Sequence, residues 1–212
     1  MKRFTFLLFA TILIVASVSY SIDFSGDVTG VSTYVWRGVK QYNGPAFQST
    51  ANFTTGLVTA GLWTSSMHGP MEVETDPFVE LGLPFGELSA AIGATLYSYD
   101  FFAKSEYNVY ELYGSAGYGP VNAALFFTPK QENMDDSVYW LEISAGHTFR
   151  GADLAATVSH GTYSSPIEDA VTSLLLSAAK PVTDSFTASW NYSIGLSGEL
   201  ENIFFIGASH AF

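Results

Sequence analysis

The chain has 212 residues, a formal net charge of −12 at pH 7, 16% aromatic but only 13% charged residues, and no cysteine. Such acidity speaks against nucleic acid, whose phosphates need a basic face. Without cysteine there are no disulfide staples and no thiolate metal sites, so hydrogen bonding and packing must hold the fold.

Lys2 and Arg3, an apolar run from Phe4 to Val18 and small residues near Ser19 and Ser21 have the layout of a secretory signal. The run is shorter than the ~20 residues a spanning helix needs. Residues 1–21 are therefore read as a signal peptide and 22–212 as one exported domain. After the signal, apolar and polar residues alternate with period two, and no long segment carries a helical stripe.

A first strand is expected from Asp23 to Trp36. Phe47, Ser49, Ala51 and Phe53 then alternate with Gln48, Thr50 and Asn52, and Val58, Ala60 and Leu62 with Thr59, Gly61 and Trp63. Next, Val73, Val79, Leu81 and Leu83 oppose Glu72, Glu74, Asp76 and Glu80, an acidic face that cannot touch lipid. Pro77 in this strand has no amide to donate to the ladder and predicts a bulge. Alternation continues through Leu88 to Tyr97, Tyr110 to Tyr118, Val121 to Thr128, Tyr139 to Gly146, Asp153 to Ser159, Ala170 to Lys180 and Phe186 to Ile194. The ending, with Phe204, Ile206, Ala208 and Phe212 on one face, looks like the closing strand and assembly signal of bacterial outer-membrane barrels.

The count is about twelve strands, even as single-chain bacterial barrels require. Short turns at 54–56, 84–86, 118–120, 150–151 and 181–184 alternate with longer connections at 38–45, 66–71, 100–105, 129–136, 161–169 and 197–201. Both termini then lie at the short-turn end, the periplasmic side. Phe53, Phe85, Tyr118, Phe149, Phe186 and Phe212 cluster near the turns, and Tyr34, Trp36, Tyr99, Phe102, Tyr139, Tyr163 and Tyr192 toward the loops, as two interface girdles. Lipid offers backbone amides no partner, so a sheet in the membrane must close on itself. The expected fold is an all-β transmembrane antiparallel barrel. A soluble sandwich or lipocalin-like barrel would instead keep its apolar face inside.

The stretch Gly30-Val31-Ser32-Thr33-Tyr34-Val35-Trp36-Arg37-Gly38-Val39-Lys40-Gln41, followed by Gly44-Pro45-Ala46-Phe47-Gln48, resembles the opening signature of the TorF porin family. Ala60-Gly61-Leu62-Trp63, the Glu74-x-Asp76 strand and Asn108-x-Tyr110-Glu111-x-Tyr113 leading to Tyr118-Gly119-Pro120 extend the likeness. It implies an outer-membrane barrel with a transport role. Trp36 and His210 depart from the residues expected at their places.

With lipid on the apolar face, the lumen receives Glu72, Glu74, Asp76, Glu80, Glu87, Glu111, Glu142 and Asp27, with Arg37 near the mouth as counter-charge. Carboxylates in a narrow aqueous passage attract cations and repel anions. The expected function is a small porin-like passive channel favouring small cations and cationic or neutral solutes. One alternative is a plugged, non-conducting lumen in which Arg37, Tyr97, Tyr99 and Tyr113 lock the acids into a hydrogen-bonded network; another is a structural or adhesive barrel acting through its loops, with Tyr97-Ser98-Tyr99-Asp100-Phe101-Phe102 as the contact segment. A rim-acting lipid hydrolase would need a serine beside His147 or His160, but parity turns Ser144 and Ser159 inward. His68, His147, His160 and His210 show no ligand spacing, and Glu72, Glu74 and Asp76, which could loosely hold a hard cation such as calcium, read better as a hydrated wall, so neither metal nor cofactor is expected. The expected partners are outer-membrane lipid and lipopolysaccharide, the barrel-assembly machinery through Phe212, and small solutes.

Overall fold

The computed structural model describes residues 21–67, 73–102, 108–132, 134, 136–162, 170–197 and 200–212. Most of the signal segment, together with His68, Glu72 and Tyr163, lies outside the described residues.

In chain order the strands are β1 (Asp23–Val31), β2 (Tyr34–Trp36), β3 (Val39–Tyr42), β4 (Ala46–Thr55), β5 (Val58–Ser66), β6 (Val73–Phe85), β7 (Leu88–Tyr97), β8 (Val109–Tyr118), β9 (Val121–Thr128), β10 (Val138–Phe149), β11 (Ala152–Gly161), β12 (Val171–Pro181), β13 (Phe186–Ser197) and β14 (Ile203–Ala211). Twelve of them, β1 and β4 to β14, form one closed barrel, and β2 and β3 pair separately as a hairpin. Every barrel pairing is antiparallel.

Glycines set four of the short turns. Gly56, Gly86, Gly119 and Gly151 adopt positive φ, and Arg150 (φ 49°) precedes Gly151 (φ 70°) in the left-handed pair that a two-residue hairpin turn demands. The sheet closes where β1 meets β14, with Asp27 opposite Ala211 and Val31 opposite Gly207. Beyond that ladder Gly26 and Phe212 exchange backbone bonds of 3.1 and 3.0 Å. No edge is left for lipid to expose, which the hydrocarbon phase requires.

The faces are inverted relative to a soluble protein. Leu112, Leu125, Ile143, Phe204 and Ile206 are exposed on the outside, while Glu74, Asp76, Glu111, Ser159 and Ser193 are buried. Phe53, Phe85, Tyr118, Phe149, Phe186 and Phe212 are exposed near the short turns, and Phe102, Tyr139 and Tyr192, with Phe47, Tyr110 and Phe204, toward the loop end.

Three expectations are corrected. The first strand does not reach Trp36: β1 ends at Val31, where Ser32 bonds Ile206 in both directions (2.9 Å through its amide, 3.1 Å through its hydroxyl), and the chain bends off the wall. Tyr34 and Trp36 thus belong to a hairpin inside the barrel, and Tyr99 turns toward Glu74, so none of the three is a girdle residue. Pro77 makes no bulge either. It pairs with Leu62 without a register shift on β5, and the β6–β7 ladder begins at Phe78, next to the missing amide. The same register returns at the isolated Glu74–Tyr99 bridge.

Candidate lumen constriction

The β2–β3 hairpin turns at Arg37 (φ 49°) and Gly38 (φ 83°), again the two left-handed residues of a tight hairpin turn. An arginine in that conformation is uncommon and costs about 1–3 kcal/mol. It persists because the far wall holds it. Arg37 Nη1 and Nη2 donate to the two Glu111 carboxylate oxygens at 2.8 and 3.0 Å, and Nε donates to Glu142 Oε1 at 3.3 Å. Such a two-pronged match is the geometry guanidinium is built for. Gly38 rests on β12, where a Cβ would collide with Ser173.

Aromatic faces surround the cation. The guanidinium carbon lies 4.2 Å from the Trp36 ring centre, 4.1 Å from Phe126 and 5.3 Å from Trp140. Stacking and cation–π attraction both favour arginine here. Trp140 packs with Val138 and Val171, against Phe126, Met134 and Leu200, into a small apolar core within the barrel. Glu111 also accepts from the Tyr97 hydroxyl (2.8 Å) and Thr128 Oγ1 (3.4 Å), and Glu142 accepts from Ser159 Oγ (3.3 Å). Every buried charge in this group therefore has partners, as burial demands. Outside it, Lys40 on β3 bonds Glu201 at 2.8 Å and holds that exposed carboxyl below its ordinary pKa range.

A second group lies on β6 and just beyond the end of β7. Glu74 and Asp76 are buried beneath Tyr34 of the hairpin, with the Tyr34 and Tyr99 hydroxyls turned to Glu74. Asp76 Oδ1 accepts the Ser98 amide at 3.2 Å. Glu74 Oε2 is buried with no hydrogen-bond partner. Neither carboxylate joins an ion pair among the described residues. Between this wall and the hairpin lies a cavity of about 380 Å³ lined by Tyr34, Val35, Trp36, Gln48, Trp63, Asp76, Phe78, Thr95 and Tyr97.

Glu80 stands apart, bonded at 2.9 Å by the Tyr113 hydroxyl. Gly93 makes that bond possible, because the Tyr113 ring lies where a Cβ would project. Of the described lumen residues named from sequence, Arg37, Glu111 and Glu142 form one cluster, Glu74 and Asp76 a pair, and Glu80 stands separately; Asp27 accepts from Thr29 Oγ1 at 2.9 Å, whereas Glu87 is corrected to an exposed turn residue bonded by the outward-facing Tyr118 hydroxyl at 3.2 Å. Sequence reasoning missed the aromatic company of Arg37. The alternation places Trp36 in the outer girdle, and Trp140 carries no mark beyond its inward parity.

On the outer face, His160 Nδ1 meets Thr172 Oγ1 at 2.9 Å, whereas Ser159 points inward to Glu142. His147 is exposed outside, and Ser144 has the lumen parity of Glu142. The wall itself separates these serines from these histidines. No group of three His, Asp or Glu able to hold a metal ion occurs among the described residues.

No family model and no curated protein matches the chain. Among solved structures it is similar to the KdgM porin in complex with disordered oligogalacturonate, at 13% identity and TM-score 0.60 over 89% of this chain and 99% of that one. An outer-membrane channel from Pseudomonas putida F1 gives 11% identity and TM-score 0.55 over 92% and 97%. Outer membrane phospholipase A from Escherichia coli gives 12% and 0.50 over 92% and 91%. At such identities the likeness is one of fold: this chain has the architecture of outer-membrane β-barrels.

Proposed function

We propose that the chain is a porin-like passive channel of the bacterial outer membrane, narrowed near its loop end by the folded-in hairpin and favouring small cations and cationic or neutral solutes. The observation that carries this reading is the uneven use of charge inside the barrel. Arg37 is spent on Glu111 and Glu142, while Glu74, Asp76 and Glu80 have no cationic partner among the described residues. Carboxylates without a bound counter-cation favour cation entry where they border a narrow passage. An oligogalacturonate, with a carboxylate on each sugar, would meet repulsion from these acids. Membership of the TorF family fits the same reading. In this account residues 1–21 direct export, Phe212 addresses the barrel-assembly machinery, the short turns face the periplasm, and lipid with lipopolysaccharide surrounds the apolar wall.

The competing reading is a closed scaffold or adhesive barrel, and the filled space around Arg37 favours it. Planar-bilayer recording decides between them. The channel reading expects steady conductance with a cation-selective reversal potential in a potassium chloride gradient, moved toward neutrality in Glu74→Gln with Asp76→Asn. Absence of conductance in the folded protein, or anion selectivity, refutes it.

A further inference from the structure

We propose that the cavity between the hairpin and the β5–β7 wall is a binding site for a small organic cation of the substituted-ammonium class; the inference rests on the channel reading and names the solute chemistry its narrowest part would select. At about 380 Å³ the cavity falls in the range of small-molecule sites, which are largely apolar with a few placed polar groups. Its walls are the rings of Tyr34, Trp36, Trp63, Phe78 and Tyr97, and the one charged side chain lining it is Asp76.

Aromatic faces around a carboxylate suit an alkylammonium. The rings attract positive charge through their quadrupoles while matching apolar substituents, and the carboxylate supplies the counter-charge. A bare metal ion fits poorly, because calcium-like ions ask for six to eight oxygen ligands, whereas the lining offers one carboxylate with Gln48 and Thr95, and the Tyr34 and Tyr97 hydroxyls are turned to Glu74 and Glu111. The site is held rigid from both sides. Tyr34 and Trp63 lie with ring centres 5.6 Å apart, Trp36 and Tyr97 5.8 Å apart, and the Ser98 amide fixes Asp76. Glu74 lies one turn of the pleat from Asp76 on the same face, 95% buried, with Oε2 unpartnered. A buried carboxylate oxygen left without a donor is costly. A cation seated at Asp76 places positive charge one pleat repeat from Glu74, which does not itself line the cavity, and so lessens that cost. The arginine cannot serve, since its guanidinium is committed to Glu111.

The test uses the full barrel folded in detergent, choline as probe and its uncharged carbon isostere dimethylbutanol as control. Trp36 and Trp63 line the cavity, so their emission reports occupancy, and calorimetry gives the affinity. Choline is expected to bind at least about tenfold tighter than the isostere, and Asp76→Asn, which keeps an acceptor for Ser98, to remove most of that difference. Trp63→Leu is expected to weaken both ligands. Equal binding of choline and isostere by the native chain, or no saturable choline binding, overturns the proposal without reference to any variant. Bilayer conductance separates this from the parent reading. Choline binding in a non-conducting barrel leaves the site and refutes the channel, and conductance without choline binding does the reverse.

Discussion

The two ends of the lumen share strands, alternation and closure, yet they are built differently. Toward the short turns the inward positions carry small polar groups such as Asn52, Ser115, Ser144, Ser177 and Asn191, each partly accessible. Toward the loops β6, β8 and β10 present Glu74, Asp76, Glu111, Trp140 and Glu142 to a hairpin that crosses the interior. The wall alone shapes one half, and a segment that left the wall shapes the other. A twelve-stranded cylinder is wide enough to need something besides its own side chains to narrow it, since about eight strands is the size at which side chains fill the interior. Position and chemistry of the narrowing are therefore properties of one loop.

That contrast can be broken most sharply at Arg37. In Arg37→Ala, Glu111 and Glu142 lose their cation, and the unfolding free energy is expected to fall by about 3–5 kcal/mol in urea titrations, the cost of leaving a buried charge unpaired. Conductance should rise severalfold in the same variant as the hairpin leaves the far wall. Unchanged conductance would show that the hairpin does not set the constriction.

A change on the lipid face separates wall from lumen. Leu125 lies mid-strand on β9, opposite Gly114 and Leu141, and is exposed. Leu125→Arg is expected to cost about 2–4 kcal/mol, as charges do near the bilayer midplane, while single-channel conductance stays at the native value. Smallest is Ser177→Ala in the turn-end half: its stability should stay within about 0.5 kcal/mol of native and its conductance should not move. A large effect there would mean that the turn-end half also carries a constriction.

The same division governs what could be read from the chain. A barrel strand repeats its instruction every second residue, and its neighbour is the next strand through a short turn, so local pattern suffices for the wall, its inverted faces and the turns at Gly56, Gly86, Gly119 and Gly151. The constriction rests on contacts between residues 74 and 105 positions apart, which no local period encodes. Tyr34 and Trp36 alternate with Val35 as girdle residues would, and aromatic alternation reads the same whether the partner is lipid or another ring. One signal was available. Trp36-Arg37-Gly38-Val39 sets a glycine-bearing dipeptide between apolar residues, a tight-turn pattern that would have ended the first strand early. Pro77 misled for a related reason, because a lost ladder bond can open the pairing in register instead of adding a residue.

The hairpin also ties one arc of the rim to another. A thin-walled hoop embedded in a fluid sheet flattens easily under sideways load. Here a rod springs from the rim between β1 and β4 and ends at Glu111, Glu142 and Ser173 on the opposite arc, so the mouth is spoked where the turn end is not. Squeezing by neighbouring lipids would therefore deform the two rims unequally, leaving the braced one close to round.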